Sequence, residues 1–432
     1  MELKSAEPNP RISFFIEINL LLIIFASLLL RGAVTDCYWY PVGIWIITIF
    51  CFSIFCWDRG YIAPPRLMGL ELLLLVWLFF IIAASAFSNH RWESLLAMER
   101  LFSGLIFFYL VLWNFQDRRR EKVMIWAMFA FPVAICLPGL VFFLSKKNLF
   151  FPFVNDFGSF CGTFVNHNNF AGLIILGFFL GVGLLMALKK KGAEFRSELW
   201  ARWAILSIPL IVLLVSLQLS MSRSGWVALF AAGAGFLVWL GLRSNRKKFR
   251  NYFAVTLLVL ALGIIVSMAV GKSLITSRLL TLGEFFKDPS SGLTLTGRKM
   301  IWISTLGMIR DHPGLGIGPG NYWLEYPHYR SPGDFYGEHH AHNDLLQLAA
   351  ESGILSALMM ILIFIAGFQL WQKNYKLEMT QFQHRISIGI VFGMLGFLIQ
   401  DQGDFHFYIP GLAYYFLALA AFLVKPRRNR HD

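Results

Sequence analysis

Apolar residues in this chain recur in runs of near-membrane length, broken by short polar and basic segments. A helix needs about 20 apolar residues to cross hydrocarbon, and the runs fit that length. The pattern predicts spans at about 12–30, 39–57, 67–87, 95–115, 122–144, 169–188, 202–220, 224–242, 252–270, 353–372, 385–400 and 410–424. The span at 95–115 is the least apolar, with Glu99 and Arg100 in its first turn. A single long polar stretch, about 271–352, interrupts the series. The expectation is an all-α membrane protein of about 12 transmembrane helices with a helical loop subdomain. It divides into 1–270 (nine spans), 271–352 (the large loop) and 353–432 (three spans and a basic tail).

Composition agrees with that pattern. The 432 residues are 57% hydrophobic and only 15% charged, whereas a soluble protein of this size carries more charge and shorter apolar runs. The net charge of +13 does not point to nucleic acid, because the cations lie in clusters between apolar runs and form no basic face on one domain. The clusters set orientation instead. With the N-terminus in the cytoplasm, Arg118, Arg119, Arg120 and Lys122 fall inside. So do Lys189, Lys190 and Lys191, then Arg243, Arg246, Lys247, Lys248 and Arg250, then Lys425, Arg427, Arg428 and Arg430. Both termini are then cytoplasmic and the long loop faces outward. Lys4 and Arg11 precede a first run that is long and lacks a small-x-small exit, so it reads as an uncleaved anchor. The five cysteines follow no metal spacing, and a bridge between the outward-facing Cys37 and Cys161 is compatible with this topology.

Two helices are expected within the loop. Thr296 can cap one over 298–310, with Ile301, Trp302, Thr305, Met308 and Ile309 on one side. Pro313 and the spaced Gly314, Gly316, Gly318 and Gly320 end it. The second starts near His342 and can run through Gly353 into the next span. No internal repeat is visible, which weighs against an inverted-repeat transporter.

Five stretches hold the polar chemistry. The first is the turn Leu219-Ser220-Met221-Ser222-Arg223-Ser224-Gly225. Arg223 reads there either as a ligand for lipid phosphate, whose oxygens its planar fork fits, or as a snorkelling side chain. In the second, Thr294–Trp302, Arg298 falls in the first turn of the loop helix, where free backbone N–H groups attract anions, or is simply a solvated helix-end Arg. The third is Glu338-His339-His340-Ala341-His342-Asn343-Asp344. Its His-x-His pair permits a metal site if Glu338, Asp344 or distant groups complete it. It also permits acid–base work, since a free imidazole titrates near pH ~6.5, or a plain polar loop and helix cap. In the fourth, Gly162-Thr163-Phe164-Val165-Asn166-His167-Asn168-Asn169, the amides of Asn166 and Asn168 can bind sugar hydroxyls or cap the following helix. The fifth, Asp311–Asn321, follows a helix instead of opening one and reads as a positioning turn.

Taken together, the chain resembles the O-antigen ligase and polymerase superfamily of bacterial membrane glycosyltransferases. The resemblance spans roughly 160–355. It rests on Gly162-Thr163-Phe164-x-Asn166-x-Asn168, on Ser222-Arg223, and on Gly297-Arg298-x-x-Ile301-Trp302. His312-Pro313-x-x-Gly316-x-Gly318 follows, then His340-x-His342-Asn343 and, nine residues on, Gly353. The resemblance implies a GT-C-like helical fold whose long periplasmic loop caps the active site. It implies His342 as general base, supported by His340, Glu338, Asn343 and Asp344, and Arg223 and Arg298 as ligands of a lipid diphosphate. It also implies a polyprenyl-diphosphate-linked glycan as donor and lipid A–core or a growing glycan as acceptor, with no metal or other cofactor. Ser356 stands where ligases often carry Gly, Thr or Tyr, which leaves ligase and polymerase both open. A lipid-linked glycan transporter is a further alternative. It predicts charges mid-span on several helices, whereas polar groups here concentrate in one outward loop.

Overall fold

The computed structural model describes residues 9–65, 67–145, 160–188, 196–243, 293–331, 339–377 and 379–426. These form thirteen α-helices: α1 (Pro10–Leu29), α2 (Asp36–Asp58), α3 (Glu71–Ala86), α4 (Arg91–Asn114), α5 (Arg118–Ser145), α6 (His167–Ala187), α7 (Arg196–Leu219), α8 (Arg223–Arg243), α9 (Leu293–Asp311), α10 (Tyr322–Tyr329), α11 (Asp344–Leu377), α12 (Gln381–Asp401) and α13 (Pro410–Val424). The protein is an all-helical, multi-pass membrane protein. Among the described residues nine helices are long and apolar enough to cross a membrane, and α3 and α13 are shorter apolar helices. The expected span at 252–270 lies outside the described residues.

Local chemistry marks the helix starts. Asn9 accepts from Arg11 N and Pro10 occupies the first turn of α1. Thr380 and Gln383 form a reciprocal capping box on α12. α6 is apolar all round and buried nearly throughout, as a central helix must be. It packs against α5, α7, α8 and α12. Its crossing with α12 is close because glycines line it. A Cβ on Gly389 would lie 2.4 Å from Phe179 O, and one on Gly183 would lie 3.1 Å from Arg385 O. Small residues are the usual means of such approach in membranes.

One end of the bundle is tied by charge. Lys425 Nζ donates to Glu121 Oε2 at 3.0 Å, Gln383 Nε2 donates to Glu121 Oε1 at 2.5 Å, and Arg120 reaches Pro10 O at 3.0 Å and Glu17 at 3.3 Å. At the opposite end α9, α10 and the start of α11 form a small cap with its own core of Ile301, Met308, Tyr322, Tyr326 and Ala350. The expected side of α9 is the buried one: Ile301, Thr305, Met308 and Ile309 are buried and Trp302 is half-buried. The helix is already formed at Leu293, so Thr296 lies within it and does not cap it. Arg298 therefore comes after the first turn and gains nothing from unpaired N–H groups there.

The turn after α9 docks on a break in α11. At Gly353 the backbone is non-helical (φ 84, ψ 162). Ile354 N donates to Pro313 O at 3.1 Å, and Ile317 N and Gly318 N donate to Ala350 O and Glu351 O, each at 2.9 Å. The second loop helix and the following span are thus one helix interrupted where the glycine turn inserts. Cys37 is exposed and Cys161 buried, and no disulfide joins them.

Candidate active site

The segment 339–343 is fixed from both sides. Asn343 Oδ1 accepts from Leu346 N at 3.0 Å and so caps α11, while its Nδ2 donates to Gln402 O and Gln402 Oε1 at 3.3 Å. Ala341 N donates to Gln347 Oε1 and Trp302 Nε1 donates to Ala341 O, each at 3.0 Å. His342, between them, has φ 50. That left-handed conformation is uncommon for a residue with a Cβ and is held only when its surroundings over-determine it.

His340 and His342 address different partners. His340 stacks on Phe405 at 4.2 Å between centroids, and its Nδ1 lies 3.3 Å from Gln347 Nε2. Gln347 also donates to Glu351 Oε1 at 3.1 Å, and Tyr408 OH donates to Glu351 Oε2 at 2.9 Å. Burial pushes the His340 imidazole down to about 3, so it stays neutral. His342 turns Nδ1 toward Asp404 Oδ1 at 3.9 Å, and the Arg298 guanidinium lies 3.8 Å from Asp404 Oδ2. Asp404 is wholly buried, whereas His342 and Arg298 keep 20% and 24% of their side chains exposed, enough to meet a ligand. Burial pushes the Asp404 carboxyl up to about 6, against the opposing pull of His342 and Arg298. Gly403 leaves room for the guanidinium: a Cβ there would lie 3.3 Å from Arg298 Nη1.

The loop between α12 and α13 supplies Asp404, and the sequence pattern did not single it out. Its signal was available: Asp401, Asp404 and His406 crowd the short join between two apolar runs. The loop is tied down throughout. Asp401 Oδ1 accepts from His406 N at 3.0 Å, and Asp344 Oδ2 accepts from Phe407 N at 2.7 Å. His406 Nδ1 meets Asn169 Oδ1 at 3.1 Å, and burial pushes its imidazole down to about 3. The carboxyl group facing His342 is thus Asp404, while Asp344 holds the loop backbone. Glu338 lies outside the described residues.

The remaining candidates are distributed as follows. Asn166 caps α6, accepting from Asn168 N at 2.8 Å, and Asn168 O accepts from Gln400 Nε2 at 2.8 Å. For Asn166 the capping alternative is the one realised. Arg223 begins α8 just after Met221, which turns the chain with φ 59. A Cβ on Gly225 would sit 3.0 Å from Ala171 Cβ, so this turn packs on the first turns of α6. Arg223 therefore stands at the same end of the bundle as Arg298 and His342. No group of three His, Cys, Asp or Glu side chains among the described residues is arranged to hold a metal ion.

No curated protein matches the chain. A match does exist at the level of family. From within α7 through the Ser222-Arg223 turn, α9 and the His-x-His-Asn segment into α11, residues 208–361 are similar to the family described as O-antigen ligase, whose model they match.

Proposed function

We propose that the protein is an O-antigen ligase-like glycosyltransferase of the bacterial inner membrane. It moves a glycan from polyprenyl diphosphate to a hydroxyl acceptor, lipid A–core or a similar lipid, at the periplasmic face. The observation that carries this reading is the buried Asp404 carboxyl shared by Arg298 and His342. A base for the acceptor hydroxyl and a cation for the departing diphosphate stand on one support.

In this scheme Nδ1 of His342 faces Asp404 and Nε2 takes the acceptor's hydroxyl proton. The acceptor oxygen attacks the anomeric carbon as the bond from that carbon to the phosphate oxygen breaks. The electron pair leaves with the diphosphate, whose charge Arg298 and Arg223 neutralise without a metal. One displacement inverts the anomeric centre. Asp404 orients the imidazole and stabilises the imidazolium that forms. Asn343 and Gln347 fix the backbone beside His342, His340 bonds Gln347, Asp344 holds the loop that carries Asp404, and the Asn168 side chain hydrogen-bonds the Asp404 carboxyl, near enough to the centre to serve a glycan hydroxyl.

Purified protein with lipid-linked donor and a defined acceptor tests this. His342→Ala should remain folded and lose transfer by roughly 10²–10⁴-fold, while chelator leaves the wild-type rate unchanged. Wild-type transfer by His342→Ala would remove the assigned base. In a deletion strain, bare lipid A–core marks a lost ligase, whereas single attached units mark a lost polymerase.

A further inference from the structure

A cavity of about 900 Å³ lies among α3, α4, α11, α12 and α13, within the size range of ligand pockets. Its wall is mostly apolar, and its polar groups gather at the cap, where His339, His340, Gln347 and Gln402 line it. For His340 the surrounding bonds decide which ring nitrogen carries the proton. The Gln347 amide meets Ala341 N at 3.0 Å, Glu351 Oε1 at 3.1 Å and His340 Nδ1 at 3.3 Å. A backbone N–H only donates, so the amide atom against Ala341 is Oε1. Nε2 then faces Glu351 and His340, and its two hydrogens match those two positions. His340 Nδ1 accepts one of them. Burial, and then His342, His339 and Arg100, oppose a charge on this ring and keep it neutral. A neutral imidazole whose Nδ1 accepts carries its proton on Nε2. Among the described residues nothing bonds that Nε2, and it is not one of the sealed polar atoms.

The amide is locked in this sense. Reversal would set Nε2 against the Ala341 N–H and Oε1 against a Glu351 oxygen. Glu351 is itself held: Tyr408 OH donates to its Oε2 at 2.9 Å, and the backbone N–H groups of Gly320 and Tyr322 face its carboxyl. We propose that His340 is a ligand-binding residue that offers Nε2–H, as a neutral donor, to a sugar oxygen in the cavity, with Gln347 and Glu351 as the positioning residues that set its tautomer. This inference rests on the glycosyl-transfer reading above. The shared ligand chemistry is a saccharide oxygen, and its source is the donor glycan or the acceptor. Phosphate is the poorer match, because it calls for a charged partner. Arg223 and Arg298 are not part of the cavity lining, and Arg100, which is, pairs with Asp36 at 3.1 Å. Phe405 stacks on His340 at 4.2 Å and meets His342 edge-on at 5.0 Å, so the two imidazoles flank one ring. His340 does not compete for the hydroxyl proton that goes to His342, and it is left to bind.

The full chain in nanodiscs, with histidine labelled for nitrogen NMR, tests this. The His340 ring resonances are those lost in His340→Gln. At about pH 7.5, above the range of an ordinary imidazole, wild type should show a protonated Nε2 and a bare Nδ1. Gln347→Glu sets an acceptor against Nδ1 and should reverse the two. Nδ1–H or a cation in wild type overturns the proposal, as does an unreversed tautomer in Gln347→Glu. A polyprenyl-diphosphate-linked glycan and a lipid A–core acceptor are then added separately. The one that shifts the Nε2 resonance is the source of the sugar, and no shift by either overturns the proposal. In the transfer assay His340→Phe keeps a ring against Phe405 without an N–H. It should raise KM for that same substrate by roughly three- to tenfold, the worth of one neutral hydrogen bond, with kcat within about twofold of wild type. His340→Gln, whose amide can donate, should restore most of the loss. A loss confined to kcat, with both KM values unchanged, would make His340 a structural support and overturn the assignment. The expected tautomer and Nε2 shift in a protein that transfers no glycan would sink the transfer reading and leave the sugar contact standing.

Discussion

Asp404 sits between Arg298 and His342 and is nonetheless sealed from water, and these facts pull its proton in opposite directions. Burial dominates, which raises the carboxyl from 3.8 to about 6. The folded state therefore holds the proton more tightly than the unfolded chain. Its stabilising contribution is complete below the ordinary Asp range and is lost as pH rises through about 6. That rise corresponds to ~3 kcal/mol. Asp404→Asn, which keeps the neutral shape, should melt higher than wild type at about pH 8 and much the same at about pH 4.5. Transfer by the same variant should fall by roughly a hundredfold or more, because an amide no longer stabilises the imidazolium. Thermal melts at the two pH values and a rate assay check both halves. A variant that melts lower at the higher pH would contradict the desolvation argument. The pairing of gained stability with lost activity would mark Asp404 as a site where the fold gives up stability for chemistry.

The break in α11 shows the same logic in an element. Gly353 has φ +84, and a Cβ there would lie 1.8 Å from Gly314 O. No side chain can be accommodated while the glycine turn stays docked. Gly316, with φ +69, is as tightly placed, its Cβ position being 2.5 Å from Ala350 O. The break lets carbonyls near Glu351 turn outward to accept from the 312–318 turn. That contact aligns the first turns of α11, which carry Gln347 and the segment with His342. Gly353→Ala should cost about 1–3 kcal/mol or more in backbone strain and contact and undock the turn. Far-UV circular dichroism should retain its helical signal while transfer is lost and proteolysis begins within 312–320. Full activity in that variant would mean that the docking has no part in placing His342.

Across the molecule, the α6–α12 crossing registers the two halves of the site. α6 brings Asn168 and Asn169 to the cap end and α12 brings Gln400 and Asp401, and these residues are bonded to each other or to His406. Any widening of the crossing moves the loop that carries Asp404. Gly389→Val should widen it, since a Cβ there would already lie 2.4 Å from Phe179 O and 2.9 Å from the Gly183 backbone. Overpacking of this kind costs about 1–3 kcal/mol. Gly233→Val is the control, because nothing lies within 4 Å of a Cβ at that position. The first variant should melt lower and transfer more slowly, and the second should match wild type in both. Equal melting of the two would show that the crossing is not under steric control.

The sequence by itself determined the helical membrane architecture, the basic clusters and the cap chemistry of the His-x-His-Asn segment. These are local properties: hydrophobic run length, charge between runs and a helix start near His342 are read from neighbouring residues. The α6 cap at Asn166 and the buried side of α9 were legible for the same reason. The partner of His342 was not. Asp404 lies 62 residues along the chain from it, and only the packing of α12 against α6 and of α13 against α11 brings the two together. Local signals started α9 after Thr296, whereas the helix begins at Leu293. The apolar cavity was likewise unreadable, because its walls come from helices far apart in sequence, and only their three-dimensional arrangement leaves the space between them.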